Sequence, residues 1–335
     1  MNQNLPSWKC DVNVLLIFFI RDAVLKETFE AVRKARPRRL LLWQDGARTN
    51  RPDDIEKVQK CREIVENIDW DCEVYKNYQT RNWGCDPSTF FSHKWAFSIV
   101  DKCIVLEDDA VPSQSFFLYC KELLDKYEND NRVSKICGMN QVASYKVNDS
   151  YLFTTVGSLG WASWKRVADT WDEHYTFLDD PHRIKLYNEL YHTYADKQYL
   201  KLCKKHRDSG RPHWETIQTF ARIFNNQLNI VPAVNMIHNI GLGEDSTHSK
   251  VSLKTIDASK RDAFYQVASD IDFPLKHPGA IIDDVGYLKA YYKQTGQGTS
   301  AIGTFFKRVQ RILRRIFGGD MKGVWKSAAS RFNFK

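Results

Sequence analysis

Residues 104–109 read Ile104-Val105-Leu106-Glu107-Asp108-Asp109. An apolar run this short, rich in β-branched residues, predicts a buried strand. Three carboxylates at its end repel one another unless they leave the sheet for an open cleft, where a cation offsets their charge. Their hard oxygen ligands suit Mg²⁺ or Mn²⁺, and a cation held by only one or two carboxylates keeps positions for phosphate oxygens. The other reading is a solvated helix start, since Pro112 and Ser113 follow closely and acids stabilise helix N-termini. Three acids in a row exceed that need.

On both sides of this run, strand-like and helix-like segments alternate. Val12–Ile20 reads as a strand, and Ala23–Lys34 has helical spacing at Val24, Leu25, Phe29 and Val32. Arg38–Gln44 is a strand ending in Asp45-Gly46, and a helix begins at Pro52-Asp53-Asp54. Cys72–Tyr78 is a strand, Thr89–Ile99 a helix, and Phe116–Tyr127 another helix before the strand Ser134–Met139. This order predicts an α/β fold with a mostly parallel central sheet covered by helices. Ligands of such sheets bind beyond the carboxyl ends of the strands. That puts Ile20-Arg21, Asp45-Gly46 and Glu107-Asp108-Asp109 on one rim. After Tyr151–Thr155 the spacing predicts a turn through Gly157–Trp161 and then a helix to Trp171. Further helices are expected near 182–206 and 214–225. Leu228–Val231 and Val234–His238 read as strands returning to the sheet.

The chain has 335 residues and a net charge of +8. Nine of the 49 basic residues and one of the 41 acidic residues lie in 303–335, so 40 of each remain in the body. A body this balanced argues against a nucleic-acid partner. In the tail, Phe305, Val309, Ile312, Leu313 and Ile316 share one helical face and Lys and Arg occupy much of the rest. This reads as an amphipathic helix on the anionic inner face of the cell membrane, with Trp325, Phe332 and Phe334 as further anchors. The alternative is a helix packed on the body. No run is apolar for the roughly 18 residues of a membrane span, and no signal peptide is legible. The eight scattered cysteines form no CxxC pair. They read as reduced thiols of a cytoplasmic protein.

The stretch Val105–Pro112, followed by Phe116-Phe117, resembles the metal motif of GT-A-fold glycosyltransferases, nearest to the N-acetylglucosaminyltransferase I type and bacterial family-2-like relatives. Trp43-Gln44-Asp45-Gly46, His93-Lys94-Trp95-Ala96 and Ser158-Leu159-Gly160-Trp161 resemble further pieces of that family in the same order. The likeness spans about 12–250 and implies a GT-A-type, Rossmann-like sheet. Asp109 would be the direct metal ligand, with Asp108 and Glu107 contacting ribose or sugar. Arg21 would meet the base or a phosphate, and Asp45 the uracil ring. Asn82 and Gly84 would pass near the ribose, and Gly160 and Trp161 would line the donor and acceptor pocket. His248, in a glycine-rich loop opening at Gly241, would complete the metal shell.

Displacement at an anomeric carbon needs a carboxylate to take the acceptor proton. Glu215, at a helix start in His213-Trp214-Glu215-Thr216, is the candidate. In the N-acetylglucosaminyltransferase I type a second acid follows, where this chain has Thr216. A nucleotide-sugar transferase domain is thus expected over 8–250, an extension over 251–300 and the basic tail over 303–335. The expected reaction moves a sugar from a nucleotide-sugar donor, with UDP as the carrier, to a glycan or lipid-linked glycan, with inversion implied by the resemblance alone. A sugar-nucleotide nucleotidyltransferase and a non-catalytic, membrane-peripheral glycan-binding protein are the alternatives. No GxGxxG follows the first strand, which argues against a dinucleotide enzyme.

Overall fold

The computed structural model describes residues 9–142, 144–191, 194–241 and 263–295. His248, the tail 303–335 and most of the expected linker 294–301 lie outside these residues.

The expected alternation is present. β1 (Cys10–Phe18), β2 (Pro37–Gln44), β3 (Glu73–Tyr78) and β4 (Lys102–Glu107) are joined by helices α1 (Asp22–Ala35), α2 (Asp53–Val65) and α3 (Cys85–Ile99). After β5 (Ala110–Pro112) and α4 (Gln114–Lys126) come β6 (Val133–Cys137), β7 (Tyr151–Thr154) and β8 (Trp161–Trp164). The helices α5 (Lys165–Ala168), α6 (Pro181–Leu190), α7 (Tyr194–Asp208) and α8 (Trp214–Phe224) lead to β9 (Leu228–Pro232) and β10 (Ile237–Asn239). Residues Val285–Thr295 form a last helix, α9.

Eight strands make one mixed, mostly parallel sheet in the order β3-β2-β1-β4-β8-β6-β9-β7. β1 lies parallel to both β2 and β4, so the chain winds one way to β3 and the other way through β4. This reversal leaves a crevice beyond the carboxyl ends of β1 and β4. Ile17 pairs with Glu107, which sets the acidic run beside the turn that carries Arg21.

Alternating strand residues build two layers, because successive side chains of a strand point to opposite faces. Val14, Leu16, Phe18, Leu40, Leu42, Ile104 and Leu106 pack with α1, α2 and α4. Leu15, Ile17, Leu41, Trp43, Cys103 and Val105 pack with α3 and α8 on the other face. Burying each such large side chain contributes about 1.5–3 kcal/mol. Strands covered on both faces read as continuous apolar runs, as in Val14–Phe18 and Ile104–Leu106.

Two expectations are corrected. The expected turn ending at Trp161 instead leads into β8, an antiparallel strand wedged between β4 and β6, with Trp161 opposite both Val105 and Cys137. Only the short α5 follows it, not a helix to Trp171. Trp161, Ala162, Ser163 and Trp164 are all buried, so alternation gives no cue there. The segment after β9 does not rejoin the main sheet. β10 pairs antiparallel with β5, His238 opposite Val111 and Asn239 opposite Ala110, and so comes back beside the acidic run.

Candidate active site

At the rim of the sheet Arg21 reaches across to the acidic run. Its Nε donates to Asp108 Oδ2 at 3.1 Å and an Nη to Asp109 Oδ2 at 2.9 Å. A further short contact joins that Nη to Asp108 Oδ1. The short β1–α1 turn, closed by the helix start at Asp22, delivers this guanidinium. Burial works against the Arg21 charge, but Asp108 and Asp109 outweigh it and hold the group fully protonated. Asp108 is further fixed through its carbonyl, which accepts from Thr28 Oγ at 2.7 Å. Burial raises the Asp108 carboxyl above the usual carboxylate range, partly offset by Arg21. Burial, then Asp109 and Asp108, raise Glu107 in the same way.

Asp109 is pressed from the far side. The backbone N–H of Ile240 donates to its carbonyl at 3.0 Å. Gly241 lies so near that an added Cβ would stand 1.9 Å from Asp109 Oδ2. The β5–β10 ribbon makes this approach and only a glycine permits it.

Asp45, 5% exposed, lies on the same rim. Its Oδ1 accepts from the N–H groups of Gly46 (3.0 Å) and Trp83 (2.9 Å). Its Oδ2 accepts from Gly84 N–H and Asn82 Nδ2, both at 3.0 Å. A carboxylate offers about four lone-pair sites, and four donors occupy them. Burial raises the Asp45 carboxyl, and the three backbone N–H groups oppose this. Accepting from a base, the role implied by the resemblance, would require it to give up one of these donors. In the structure Asp45 shapes the loop 82–84, whose Gly84 turns at φ +81° to start α3.

These groups share a cleft of about 1040 Å³. Arg21, Asp45, Asn82, Gly84, Glu107, Asp108, Asp109, Trp161 and Glu215 all line it. Gly160 lies between two lining residues, Leu159 and Trp161. It is buried at φ +60°, and a Cβ there would meet Ile237 Cδ1 at 2.5 Å. Its role is the tight turn into β8. Glu215 is exposed in the first turn of α8. The neighbouring Trp214 ring stacks on Trp161 with centroids 6.4 Å apart and planes at 13°. His93, from the expected helix α3, packs edge-on against Trp161, Trp214 and Trp171 beneath them.

Several lining residues escaped the sequence reading. Lys135 on β6, Gln218 and Arg222 on α8, and Tyr187, Tyr199 and Tyr292 also line the cleft. A lysine inside the strand Val133-Ser134-Lys135-Ile136-Cys137 was a usable signal, because that strand is buried throughout.

Among the described residues no three His, Cys, Asp or Glu converge to hold a metal ion. The donor set still fits a hard divalent cation of the kind that takes one or two carboxylates and completes its shell from water and phosphate. Asp109 would be the carboxylate to hold it; its Oδ2 accepts from Arg21, and the glycine at 241 lets the carboxylate stand where it does.

No family model and no curated protein matches the chain. Among solved structures, partial likeness is found to 4-diphosphocytidyl-2C-methyl-D-erythritol synthase from Anaerococcus prevotii. It has 13% identity over 48% of this chain and 73% of that one, with a TM-score of 0.31. A UDP-glucose pyrophosphorylase complexed with UDP-glucose has 10% identity over 48% and 78%, with a TM-score of 0.28. HddC from Yersinia pseudotuberculosis complexed with GMP-PN has 11% identity over 47% and 79%, with a TM-score of 0.29. Likeness of this size carries no argument about reaction or ligand.

Proposed function

We propose that the chain is a metal-dependent glycosyltransferase that moves a sugar from a nucleotide-sugar, with UDP as the carrier, to a hydroxyl of a glycan or lipid-linked glycan. One observation carries the reading. A single cleft holds the acidic run at the sheet's reversal point, an exposed carboxylate at Glu215 and further space beyond it. Asn82 and Gly84, held by Asp45, would border the nucleoside. Asp109 would hold Mn²⁺ or Mg²⁺, with Glu107 and Asp108 beside it and His248 as a further ligand. The ion, when bound, neutralises charge on the departing diphosphate. Trp161 and Trp214 would flank the sugar. Glu215 would take the proton as the acceptor oxygen bonds to the anomeric carbon and the carbon–diphosphate bond breaks.

Nucleotidyl transfer is the second reading, favoured by Arg48 and Arg51, which line the same cleft as Arg21, although Arg48 is paired with Asp54 and Arg51 with Asp53. It leaves Glu215 without a task, since a sugar phosphate is already an anion and needs no general base. Arg21, the one cation in the β1–α1 turn, is also already held by Asp108 and Asp109. Two assays separate the readings. Release of nucleoside diphosphate from a nucleotide-sugar with Mn²⁺ supports transfer. Release of pyrophosphate from a nucleoside triphosphate and a sugar 1-phosphate supports the alternative.

Among the described residues no helix is long and apolar enough to cross a membrane. Docking of the tail 303–335 on the inner membrane face remains part of this proposal, supported by its amphipathic pattern. Partition to anionic vesicles, with and without 303–335, tests it.

A further inference from the structure

Lys135 is buried in the middle of the sheet, yet its ammonium lines the cleft. Its Nζ donates to Gln218 Oε1 at 2.7 Å and lies 5.5 Å from the centre of the Trp161 ring. Among the described residues it forms no ion pair. An ammonium has three donors, and one neutral amide with one aromatic face is a poor exchange for water. Space has been kept for it as well. A Cβ on Gly157 would lie 2.8 Å from Nζ. Arg222 lies on the same face of α8, one turn beyond Gln218, and also lines the cleft. It is buried and donates to the Gln227 carbonyl at 3.1 Å, again without an ion pair among the described residues. The two buried cations repel each other, and among the described residues neither has a carboxylate within ion-pair distance, although Asp283 feels the Arg222 charge.

Glu215, Gln218 and Arg222 stand at i, i+3 and i+7 on one face of α8, and Lys135 is bonded to Gln218. Along that face the two cations therefore follow Glu215. If the diphosphate leaves at Asp109 and the proton leaves at Glu215, the molecule next to Lys135 is the acceptor. We propose that Lys135 and Arg222 recognise an anionic group, a carboxylate or a phosphate, carried by the acceptor sugar. This rests on the transferase reading and specifies its acceptor class. Both cations have only neutral hydrogen-bond partners among the described residues, and the anion would supply the counter-charge that a neutral acceptor would not.

The test uses the full chain saturated with UDP and Mn²⁺. Methyl glucuronide is titrated against methyl glucoside, and glucose 6-phosphate against glucose, by ligand-observed NMR. At least one anionic member should bind about 10-fold or more tightly than its neutral counterpart, as expected for a desolvated charge pair. The two pairs distinguish carboxylate from phosphate. In Lys135→Met the preference should vanish while UDP affinity stays the same. A thermal melt checks its folding, and if it does not fold the wild-type preference and Arg222→Met decide. Equal binding of charged and neutral members overturns the inference alone, as does a preference that survives both substitutions. Failure to bind UDP with Mn²⁺ overturns the transferase reading, and this inference with it.

Discussion

Gly241 and Asp109 are packed so closely that a methyl group on the glycine would overlap the carboxylate, 1.9 Å from Oδ2. The last strand of the described site therefore sets where the proposed metal ligand stands. Gly241→Ala should displace the carboxylate while leaving the two-layered core untouched. A displacement near 1 Å can reduce a rate by about 100-fold. Donor turnover should fall by about that factor, with the apparent Mn²⁺ requirement raised and the melting temperature little changed. A variant with normal turnover and normal Mn²⁺ dependence would show that Asp109 does not hold the ion.

Asp45 acts on the loop 82–84 through four accepted hydrogen bonds. Asp45→Asn replaces one acceptor oxygen by a donor that faces other donors. Unfolding free energy should fall by about 1–3 kcal/mol, and UDP affinity should fall with it. Chemical denaturation and UDP titration check the two effects separately. Intact stability with weakened UDP binding would instead mean that Asp45 touches the base directly.

His93 gives a pH prediction. Neither ring nitrogen has a hydrogen-bond partner among the described residues, and three tryptophans surround the ring. Burial, with a smaller effect of Lys135, lowers its pKa from 6.5 to about 3. The unfolded chain takes up a proton below about 6.5 and the native state does not, so stability is lost as pH falls from there towards 3. The loss approaches about 1.4 kcal/mol per pH unit for this group. His93→Leu should flatten that part of the stability curve, measured by denaturant unfolding between pH 6.5 and 4.5. An unchanged slope would mean that the ring is protonated or solvated in the native state.

Much of the fold was legible because strands covered on both faces are written as apolar runs, and α1 shows its stripe at Leu25, Phe29 and Val32. β8 was not legible. Its aromatic residues are buried on both sides between β4 and β6, so neither period nor polarity marks it as a strand. β10 was read as a strand but given the wrong partner, since only the tertiary path brings His238 beside Val111. In the site, the rim formed by Arg21, Asp45 and Glu107–Asp109 followed from strand ends. The saturation of Asp45, the closeness of Gly241 to Asp109 and that of Gly160 to Ile237 are long-range relationships that local sequence does not encode. Lys135 was the overlooked clue: a charge inside a buried strand requires something in the structure to face it.

Glu215 is assigned the proton of the acceptor hydroxyl. Glu215→Gln should lower kcat by about 100- to 10,000-fold and leave UDP affinity unchanged, because the group acts after the donor is bound. Steady-state kinetics with the identified donor and acceptor, alongside UDP titration, check this. A raised KM at unchanged kcat would make Glu215 a binding residue.

If the acidic run ending at Asp109 serves metal-dependent release of a nucleoside diphosphate, that release can be measured from a panel of nucleotide-sugars with Mn²⁺, for the wild-type chain and for Asp109→Ala. Release is expected from at least one donor, abolished by chelation and by the substitution. Release that survives both would rule out the proposed role of the run.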